Sequence, residues 1–249
     1  MRAGLALVVA LVTAVAACGS NGADGPGGSG AVVHVSAASS LTDAFTDAAA
    51  SFPGGRIELN FGASSALVEQ IKGGAPADVL ATADDTTMTR AIDAGLVAGR
   101  PAIFARNRLT VIVPPDNPAH ISQLADVARP GVTLLLCADQ VPCGRYAAEA
   151  FRKAGLTVTA ASKEDNVRAV VSKVGLGEAD AGVVYVTDAR AAGAAVTAID
   201  IPDDINVVAG YPAAALAEAA NGAGARAFLE YLRGPAAQAS LARRGFLPP

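Results

Sequence analysis

The feature of this 249-residue chain that most constrains its fold is the alternation of short apolar strand patterns with amphipathic helix patterns. Residues 31–36, 56–61 and 78–82 have the composition of strands, and a segment with helical periodicity follows each of them. The second half of the chain repeats the arrangement, with strands predicted at 132–136 and 181–186. A repeated strand–helix order predicts parallel strands joined by right-handed crossovers, and therefore an α/β fold.

Two extended segments divide this pattern into two lobes. Residues 102–113 and 205–209 are predicted to cross between the lobes, with hinges near residues 110–114 and within 205–209. The predicted division is lobe one, residues 31–111 and 206–249, and lobe two, residues 112–205.

The turns after the predicted strands carry small and neutral residues. They are Ser39-Ser40, Ser64-Ser65, Pro142-Cys143-Gly144 and Asn166-Val167. In open α/β sheets, ligands bind beyond the carboxyl ends of the strands, where helix N-termini present backbone N–H groups and a partial positive charge. A deprotonated tetrahedral dianion only accepts hydrogen bonds, so neutral donors suit it. Serine is also a common N-cap, and Ser40 begins a capping-box pattern that ends at Asp43. The four turns together predict an oxyanion site.

Tyr185 ends the buried strand pattern AGVVYV. A tyrosine in such a segment packs in the core more often than it contacts a ligand, but its place at the end of the strand favours the ligand site.

In this order, the residues resemble the periplasmic molybdate-binding proteins of ABC-type uptake systems, within the type II periplasmic-binding-protein family. The resemblance covers essentially the whole mature chain; the matching segments are residues 37–44, 61–65, 74–79, 141–147, 166–168 and 181–185. It implies two lobes, each a mostly parallel sheet flanked by helices, that close on molybdate or tungstate. It implies neither an enzyme nor a cofactor, since the oxyanion of molybdenum or tungsten is the cargo.

The resemblance also implies a set of binding residues. In that family, two serines of one lobe bind the oxyanion together with two backbone amides and a tyrosine hydroxyl of the other. The matching positions here are Ser40, Ser64, Cys143, Val167 and Tyr185, with Ser39 as the fallback if the doubled serine shifts by one residue. Cys143 departs from the small residue expected there, but the backbone N–H is the implied contact. Asp78 is expected to fix loop geometry near the cleft.

The N-terminus predicts export. Arg2 precedes an apolar run, residues 3–17, that is shorter than the roughly 20 residues of a membrane span, so residues 1–17 have the pattern of a signal peptide. Residues 15–18 (VAAC) resemble the bacterial lipobox, in which the cysteine, here Cys18, is acylated; a plain secretory peptide is the alternative. Residues 18–30 are then expected to form the lipidated cysteine and a flexible tether that anchors the protein to the outer face of the cell membrane.

Cys137 and Cys143 are expected to form a disulfide, because exported proteins occupy compartments where disulfides persist. Two free buried thiols are the alternative, since the short intervening loop must bring the two Cα atoms within about 7 Å.

Composition excludes two other classes of function. A net charge of −4 without a basic, aromatic patch argues against nucleic acid, and two histidines give little material for a histidine-based metal site. The expected partners are an ABC permease and its ATPase, and the protein is expected to be a monomer.

Three other functions stay open at this point. A receptor for sulfate or another tetrahedral oxyanion is the first, and a lipoprotein without a ligand is the second. The third is a serine hydrolase built on Gly62-Ala63-Ser64-Ser65-Ala66, which lacks the last glycine of a nucleophile elbow and has only His120 as a downstream histidine.

Overall fold

A computed structural model describes residues 32–249. The predicted signal peptide, the predicted acylation site at Cys18 and the predicted tether lie outside the described residues. No helix within residues 32–249 combines the length and the apolar character needed to cross a membrane.

Nine strands and eight α-helices make up the described part of the chain. The strands are β1 (Val33–Ala38), β2 (Ile57–Gly62), β3 (Val79–Ala81), β4 (Val97–Val113), β5 (Leu134–Cys137), β6 (Ser162–Glu164), β7 (Ala181–Tyr185), β8 (Thr197–Asp200) and β9 (Val208–Leu216). The helices are α1 (Thr42–Ser51), α2 (Ser64–Lys72), α3 (Asp85–Asp93), α4 (Pro142–Lys153), α5 (Val167–Gly175), α6 (Val186–Ala192), α7 (Gly222–Arg233) and α8 (Pro235–Arg244).

The strands pair in the order β2-β1-β3-β9-β4-β7-β5-β6, with β8 added on β4. β1 is parallel to both β2 and β3, and β5 is parallel to both β6 and β7. The predicted parallel α/β fold is confirmed in both halves. The long strands β4 and β9 are antiparallel and join the halves.

β4 passes from one half of the sheet to the other between Arg108 and Leu109. Its residues up to Arg108 pair with β9, whereas Leu109 and the residues after it pair with β7 and β8. The returning chain is tied to this point, because the Asn206 side chain accepts from the Leu109 N–H (3.1 Å) and donates to the Leu109 carbonyl (3.0 Å). We call β1–β3, β9, the first part of β4 and helices α1–α3, α7 and α8 the first lobe; the rest is the second lobe. The hinge positions and the division at residues 111 and 206 stay predictions.

An aromatic cluster fixes the helices of the first lobe on the sheet. The Phe45 ring of α1 lies 5.6 Å from that of Phe104 on β4 and 5.9 Å from that of Phe228 on α7. Phe52, at the end of α1, adds an edge contact to Phe228 at 5.4 Å. Burial of these rings holds α1 in place, and with it the turn that joins β1 to α1.

Candidate functional site

All the sequence-predicted binding residues line one pocket between the lobes. The first lobe contributes Ala38, Ser39, Ser40, Gly62, Ala63, Ser64 and Ala83, and the second lobe contributes Val141, Pro142, Cys143, Val167 and Tyr185. None of these side chains carries a charge. The pocket lies at the carboxyl ends of β1, β2 and β7, where the α/β pattern places it.

Three helices begin at this pocket. Ser64 is the first residue of α2, Val167 the first of α5, and Cys143 the second of α4 after Pro142. N–H groups in the first turn have no acceptor within their own helix, and the helix dipole adds partial positive charge there. Proline at the first helical position of α4 removes an N–H that would have no helical partner, which favours the helix start. The three helix ends therefore present donors to an anion.

The Ser64 hydroxyl is oriented so that it can donate a hydrogen bond to a ligand in the pocket. Its oxygen accepts a hydrogen bond from the Ala83 N–H at 3.0 Å, and the side chain is buried at the pocket. Because the oxygen already accepts from the backbone, its own proton is free to point toward a ligand.

The Ser40 hydroxyl does not cap a helix, so the predicted capping box is wrong. A short 3-10 turn, Ser39–Leu41, precedes α1, and no side chain caps that helix. The Ser40 oxygen lies 2.9 Å from the Tyr211 hydroxyl oxygen instead. The reason is tertiary: β9 brings the buried Tyr211 beside the turn, which sequence spacing alone cannot show.

Asn107 also bonds to the Tyr211 hydroxyl that contacts Ser40. The Asn107 side-chain oxygen accepts from the Arg108 N–H (2.9 Å), so its amino group faces Thr187 (2.8 Å) and the Tyr211 oxygen (3.4 Å). Since the Tyr211 oxygen already accepts from Asn107, Tyr211 can donate its own proton to Ser40, and in that arrangement the Ser40 proton is available to the pocket. Sequence analysis missed Tyr211 and Asn107, because neither follows a strand or begins a helix.

The Tyr185 hydroxyl is the least satisfied group in the pocket. The side chain is buried, and the hydroxyl has no hydrogen-bond partner within residues 32–249. Burial raises the pKa of Tyr185 well above its usual value, so the phenol keeps its proton and stays a neutral donor. Since an unpaired buried hydroxyl costs free energy, this donor fits a site that is completed by an acceptor.

The expected disulfide is absent from the structure: Cys137 and Cys143 are both buried free thiols. Cys137 ends β5, and the Cys143 sulfur donates to the Val183 carbonyl on β7 at 3.3 Å, so it is oriented toward the sheet. Hydrogen bonding to the Cys137 thiol and burial both raise the pKa of Cys143 well above its usual value. Cys143 therefore stays neutral, and its backbone N–H is the group it offers to the pocket.

Asp78 does not lie near the cleft, contrary to the expectation. Its buried carboxylate accepts from the His34 N–H and the Asn221 N–H, both at 2.8 Å. These contacts lie at the amino ends of β1 and β3, opposite the pocket. Asp78 fixes loop geometry there, and no contact with the pocket follows.

Gly144 allows α4 to start directly against the end of β5. A Cβ atom at this position would lie 2.3 Å from the Ala138 carbonyl oxygen and 2.6 Å from that of Cys137. Both neighbours are backbone atoms of the segment that leads into the pocket, so neither can move aside like a flexible side chain. The small residue is therefore required by the close approach.

We expect Gly144→Ala to displace the start of α4, because the added methyl group overlaps two carbonyl oxygens. The free energy of unfolding should fall by about 1–3 kcal/mol, as for overpacking of other cores, and anion binding should weaken because the Cys143 N–H moves with the helix. Urea unfolding and calorimetric titration measure the two effects. Gly222→Ala is the matched control, since a Cβ there meets only the end of the Arg226 side chain at 3.6 Å. Unchanged stability and binding in Gly144→Ala would contradict this role.

Asp188 is a buried carboxylate beside the pocket that sequence analysis did not identify. Neither of its oxygens has a hydrogen-bond partner within the described chain, and the Arg168 Nε atom lies 3.7 Å from one of them. Burial raises the pKa of Asp188 to about 7, and the positive charge of Arg168 offsets only part of that shift. The carboxyl group is three residues from Tyr185, on the first turn of α6.

The pocket lacks the groups that hydrolysis would need. No histidine or carboxylate is among its lining residues, so Ser64 has no base beside it, and its oxygen is already bonded to the Ala83 N–H. Within residues 32–249, no cluster of three or more histidine, cysteine or acidic side chains could hold a metal ion. The chemistry that these residues support is the binding of an anion by neutral donors.

Known proteins resemble this chain over almost its whole described length. Residues 33–247 match the family model described as bacterial extracellular solute-binding protein. The molybdate-binding protein ModA of Mycobacterium tuberculosis is 38% identical over 247 residues, which cover 96% of this chain and 95% of that protein.

Solved structures share the fold at lower sequence identity. The periplasmic molybdate-binding protein of Azotobacter vinelandii superposes with a TM-score of 0.77 at 21% identity, covering 87% of this chain and 99% of that one. The sulfate-binding protein SubI of Mycobacterium tuberculosis superposes with a TM-score of 0.80 at 19% identity, covering 87% and 86%. These two likenesses confirm the two-lobed architecture.

Proposed function

We propose that this chain, which belongs to the bacterial extracellular solute-binding protein family, captures molybdate or tungstate between its lobes for an ABC-type importer. One observation carries the proposal: three protonated hydroxyl groups and three helix N-termini converge on a pocket whose lining has no charged side chain. Such a pocket offers only donors to a ligand that only accepts.

In the proposed complex, the oxyanion binds the Ser40 and Ser64 hydroxyls of the first lobe. The second lobe then adds the backbone N–H groups of Cys143 and Val167 and the Tyr185 hydroxyl. Hydrogen bonds to a charged group contribute about 1.5–3 kcal/mol each. Several of them offset dehydration and support binding at or below micromolar concentration, about −8 kcal/mol.

The donor set also favours one class of oxyanion. Monohydrogen phosphate keeps a proton and is best held by an acceptor, but no carboxylate lines this pocket. Sulfate has the charge of molybdate and differs mainly in size, so the donors alone do not separate the two. The identity of 38% with a protein named for molybdate favours molybdate over sulfate.

The proposal places the protein outside the cell, on the outer face of the membrane, through a lipid on Cys18. It acts there as a monomer, and its partners are a permease and a cytoplasmic ATPase. The pattern of residues 15–18 supports acylation. Mass spectrometry of the mature protein from native membranes tests it: a diacylated N-terminal peptide starting at Cys18 supports the anchor, and an unmodified N-terminus contradicts it.

Thermal unfolding with millimolar molybdate, tungstate, sulfate or phosphate tests the ligand. Ligand at a thousand times its Kd stabilises the native state by about 4 kcal/mol, which for a chain of this size raises the midpoint by roughly 10 °C. We expect that shift with molybdate and tungstate only. A shift with sulfate alone would assign a sulfate receptor, and no shift with any of the four would contradict oxyanion binding.

A further inference from the structure

Two arginines sit beside the pocket amides of the second lobe, and each reaches a carboxylate of the first lobe. Arg145 lies two residues after Cys143, and Arg168 directly follows Val167. We propose that these two ion pairs, Arg145 with Asp84 and Arg168 with Asp43, form an interlobe latch that holds the closed form and slows release of the ligand. This proposal deepens the proposed function, but it rests on the two-lobed architecture and not on the identity of the anion.

The Arg145 side chain makes the more buried half of the latch. Its Nε and Nη2 atoms converge on one oxygen of Asp84, with Nε at 2.9 Å, and Nη2 also donates to the Thr87 hydroxyl at 2.7 Å. The other Asp84 oxygen caps α3 by accepting from the Thr87 N–H at 3.0 Å. The carboxylate is therefore held in place by its own lobe, and α4 is bound to it from the other side.

The Arg168 side chain makes the second half. Its Nη2 atom donates to the Asp43 carboxylate on the first turn of α1, and its Nε atom donates to the Ser39 carbonyl at 3.4 Å. Asp188, on the second lobe, lies 3.7 Å from the same Nε. Arg168 thus shares its charge between a carboxylate of each lobe, and only the contacts to Asp43 and Ser39 require the lobes to be closed.

Burial separates the Arg145–Asp84 pair from ordinary surface pairs, whereas the Arg168–Asp43 pair is about as exposed as the Arg244–Asp47 pair within the first lobe. The side chains of Arg145 and Asp84 are 22% and 2% exposed, and those of Arg168 and Asp43 are 32% and 38% exposed. In the Lys163–Asp139 pair, which lies within the second lobe, they are 50% and 78% exposed. Surface pairs contribute little because water screens them, whereas hydrogen-bonded pairs shielded from water contribute more.

The latch couples the lobes beside two different parts of the pocket. Asp84 directly follows Ala83, whose N–H holds the Ser64 oxygen, and Asp43 lies three residues after Ser40. Because each pair forms only when the lobes meet, its free energy belongs to the closed form. The latch should therefore lower the dissociation rate of the ligand and should also raise the closed fraction of the ligand-free protein.

The test is a double-mutant cycle on Asp43→Asn, Arg168→Gln and their combination. Asp43 is partly exposed, so these variants should fold; Arg145→Gln is the second probe, and Lys163→Gln is the matched control. Stopped-flow measurement of molybdate release should show roughly tenfold faster dissociation in Arg145→Gln, the loss expected for one shielded, charge-assisted hydrogen-bonded pair. Asp43→Asn and Arg168→Gln should each release molybdate roughly two- to fivefold faster, because water partly screens their pair. The Asp43/Arg168 double variant should release molybdate no faster than the faster single variant. Lys163→Gln should match the wild-type protein.

Small-angle scattering of the ligand-free proteins separates the latch from the identity of the ligand. The Asp43/Arg168 double variant should have a larger radius of gyration than the wild-type protein and Lys163→Gln. If the wild-type protein fails to bind molybdate but the radius of gyration still differs between the variants, the latch is supported and the proposed ligand is wrong. An unchanged radius of gyration would overturn the latch, as would additive effects of Asp43→Asn and Arg168→Gln on the dissociation rate.

Discussion

Replacing Tyr185 by phenylalanine is expected to weaken molybdate binding by roughly 10- to 100-fold, the loss of one hydrogen bond to a charged group, while leaving the ligand-free protein at least as stable as before. The two effects have opposite signs for one reason. The Tyr185 hydroxyl is buried and has no partner within residues 32–249, so it costs free energy in the free protein and is satisfied only by an acceptor in the pocket. Phenylalanine keeps the ring and its edge contact with Tyr211, whose centroid lies 5.8 Å away.

Calorimetric titration with molybdate and urea unfolding without it measure both effects of Tyr185→Phe. Tyr211→Phe is an informative contrast, because the Tyr211 hydroxyl is bonded to Ser40 and Asn107 and its loss should destabilise the ligand-free protein. Tyr231→Phe, away from the pocket, should change neither quantity. If Tyr185→Phe bound molybdate as tightly as the wild-type protein, the assignment of Tyr185 to the site would be wrong.

The free energy of unfolding of the wild-type protein is expected to fall as the pH rises from about 4 to 7, and replacing Asp188 by asparagine is expected to remove this fall. Burial raises the pKa of Asp188 from 3.8 to about 7 in the folded protein. Across that range the unfolded chain has lost this proton and the folded chain keeps it, so the free energy of unfolding decreases as the pH rises. Three pKa units correspond to about 4 kcal/mol in total. Above pH 7 both states are ionised and the loss is complete.

Urea unfolding at pH 5 and pH 8 tests this effect by comparing wild-type protein with Asp188→Asn. Between pH 5 and pH 8, the free energy of unfolding should decrease more in the wild-type protein than in Asp188→Asn. The difference in stability between the two should therefore shift in favour of the variant at pH 8. Asp203→Asn is the control, because that carboxylate is exposed. Parallel stability profiles for the wild-type protein and Asp188→Asn would contradict a buried carboxyl group that titrates near neutral pH.

The pocket was accessible to sequence reasoning because its residues sit where strands end and helices begin. Ser40, Ser64 and Tyr185 each follow or end a strand pattern, and Cys143 and Val167 each lie in the first turn of a helix. Parallel strands align their carboxyl ends at one edge of the sheet, so local position along the chain indicates which turns of each lobe face a ligand. The choice of the five binding residues, and their meeting across two lobes, came from the resemblance to molybdate-binding proteins.

The residues that support the pocket were not accessible in this way. Tyr211 contacts Ser40, which lies 171 residues earlier in the chain, and Asn107 contacts Thr187, which lies 80 residues later. Arg145 and Arg168 contact carboxylates 61 and 125 residues away. No periodicity or motif marks such pairs, because only the closed arrangement of the two lobes makes them neighbours.

Several elements were missed for local reasons. β6 and β8 have only three and four residues, too few to show an alternating pattern. Helix α6 begins at Val186, directly after β7, so the strand pattern at 181–186 runs one residue into a helix. Cys137 and Cys143 are free thiols that contact each other, so their spacing along the chain correctly predicted neighbouring thiols but does not decide whether the two are joined.

Crystals grown with molybdate, measured on both sides of the molybdenum absorption edge, test the central claim most directly. We predict a single anomalous peak in the pocket between the lobes, with oxyanion oxygens within hydrogen-bonding distance of the Ser64 and Tyr185 hydroxyls and the Cys143 and Val167 amides. A peak elsewhere on the protein, or an empty pocket in crystals that contain molybdate, would contradict it.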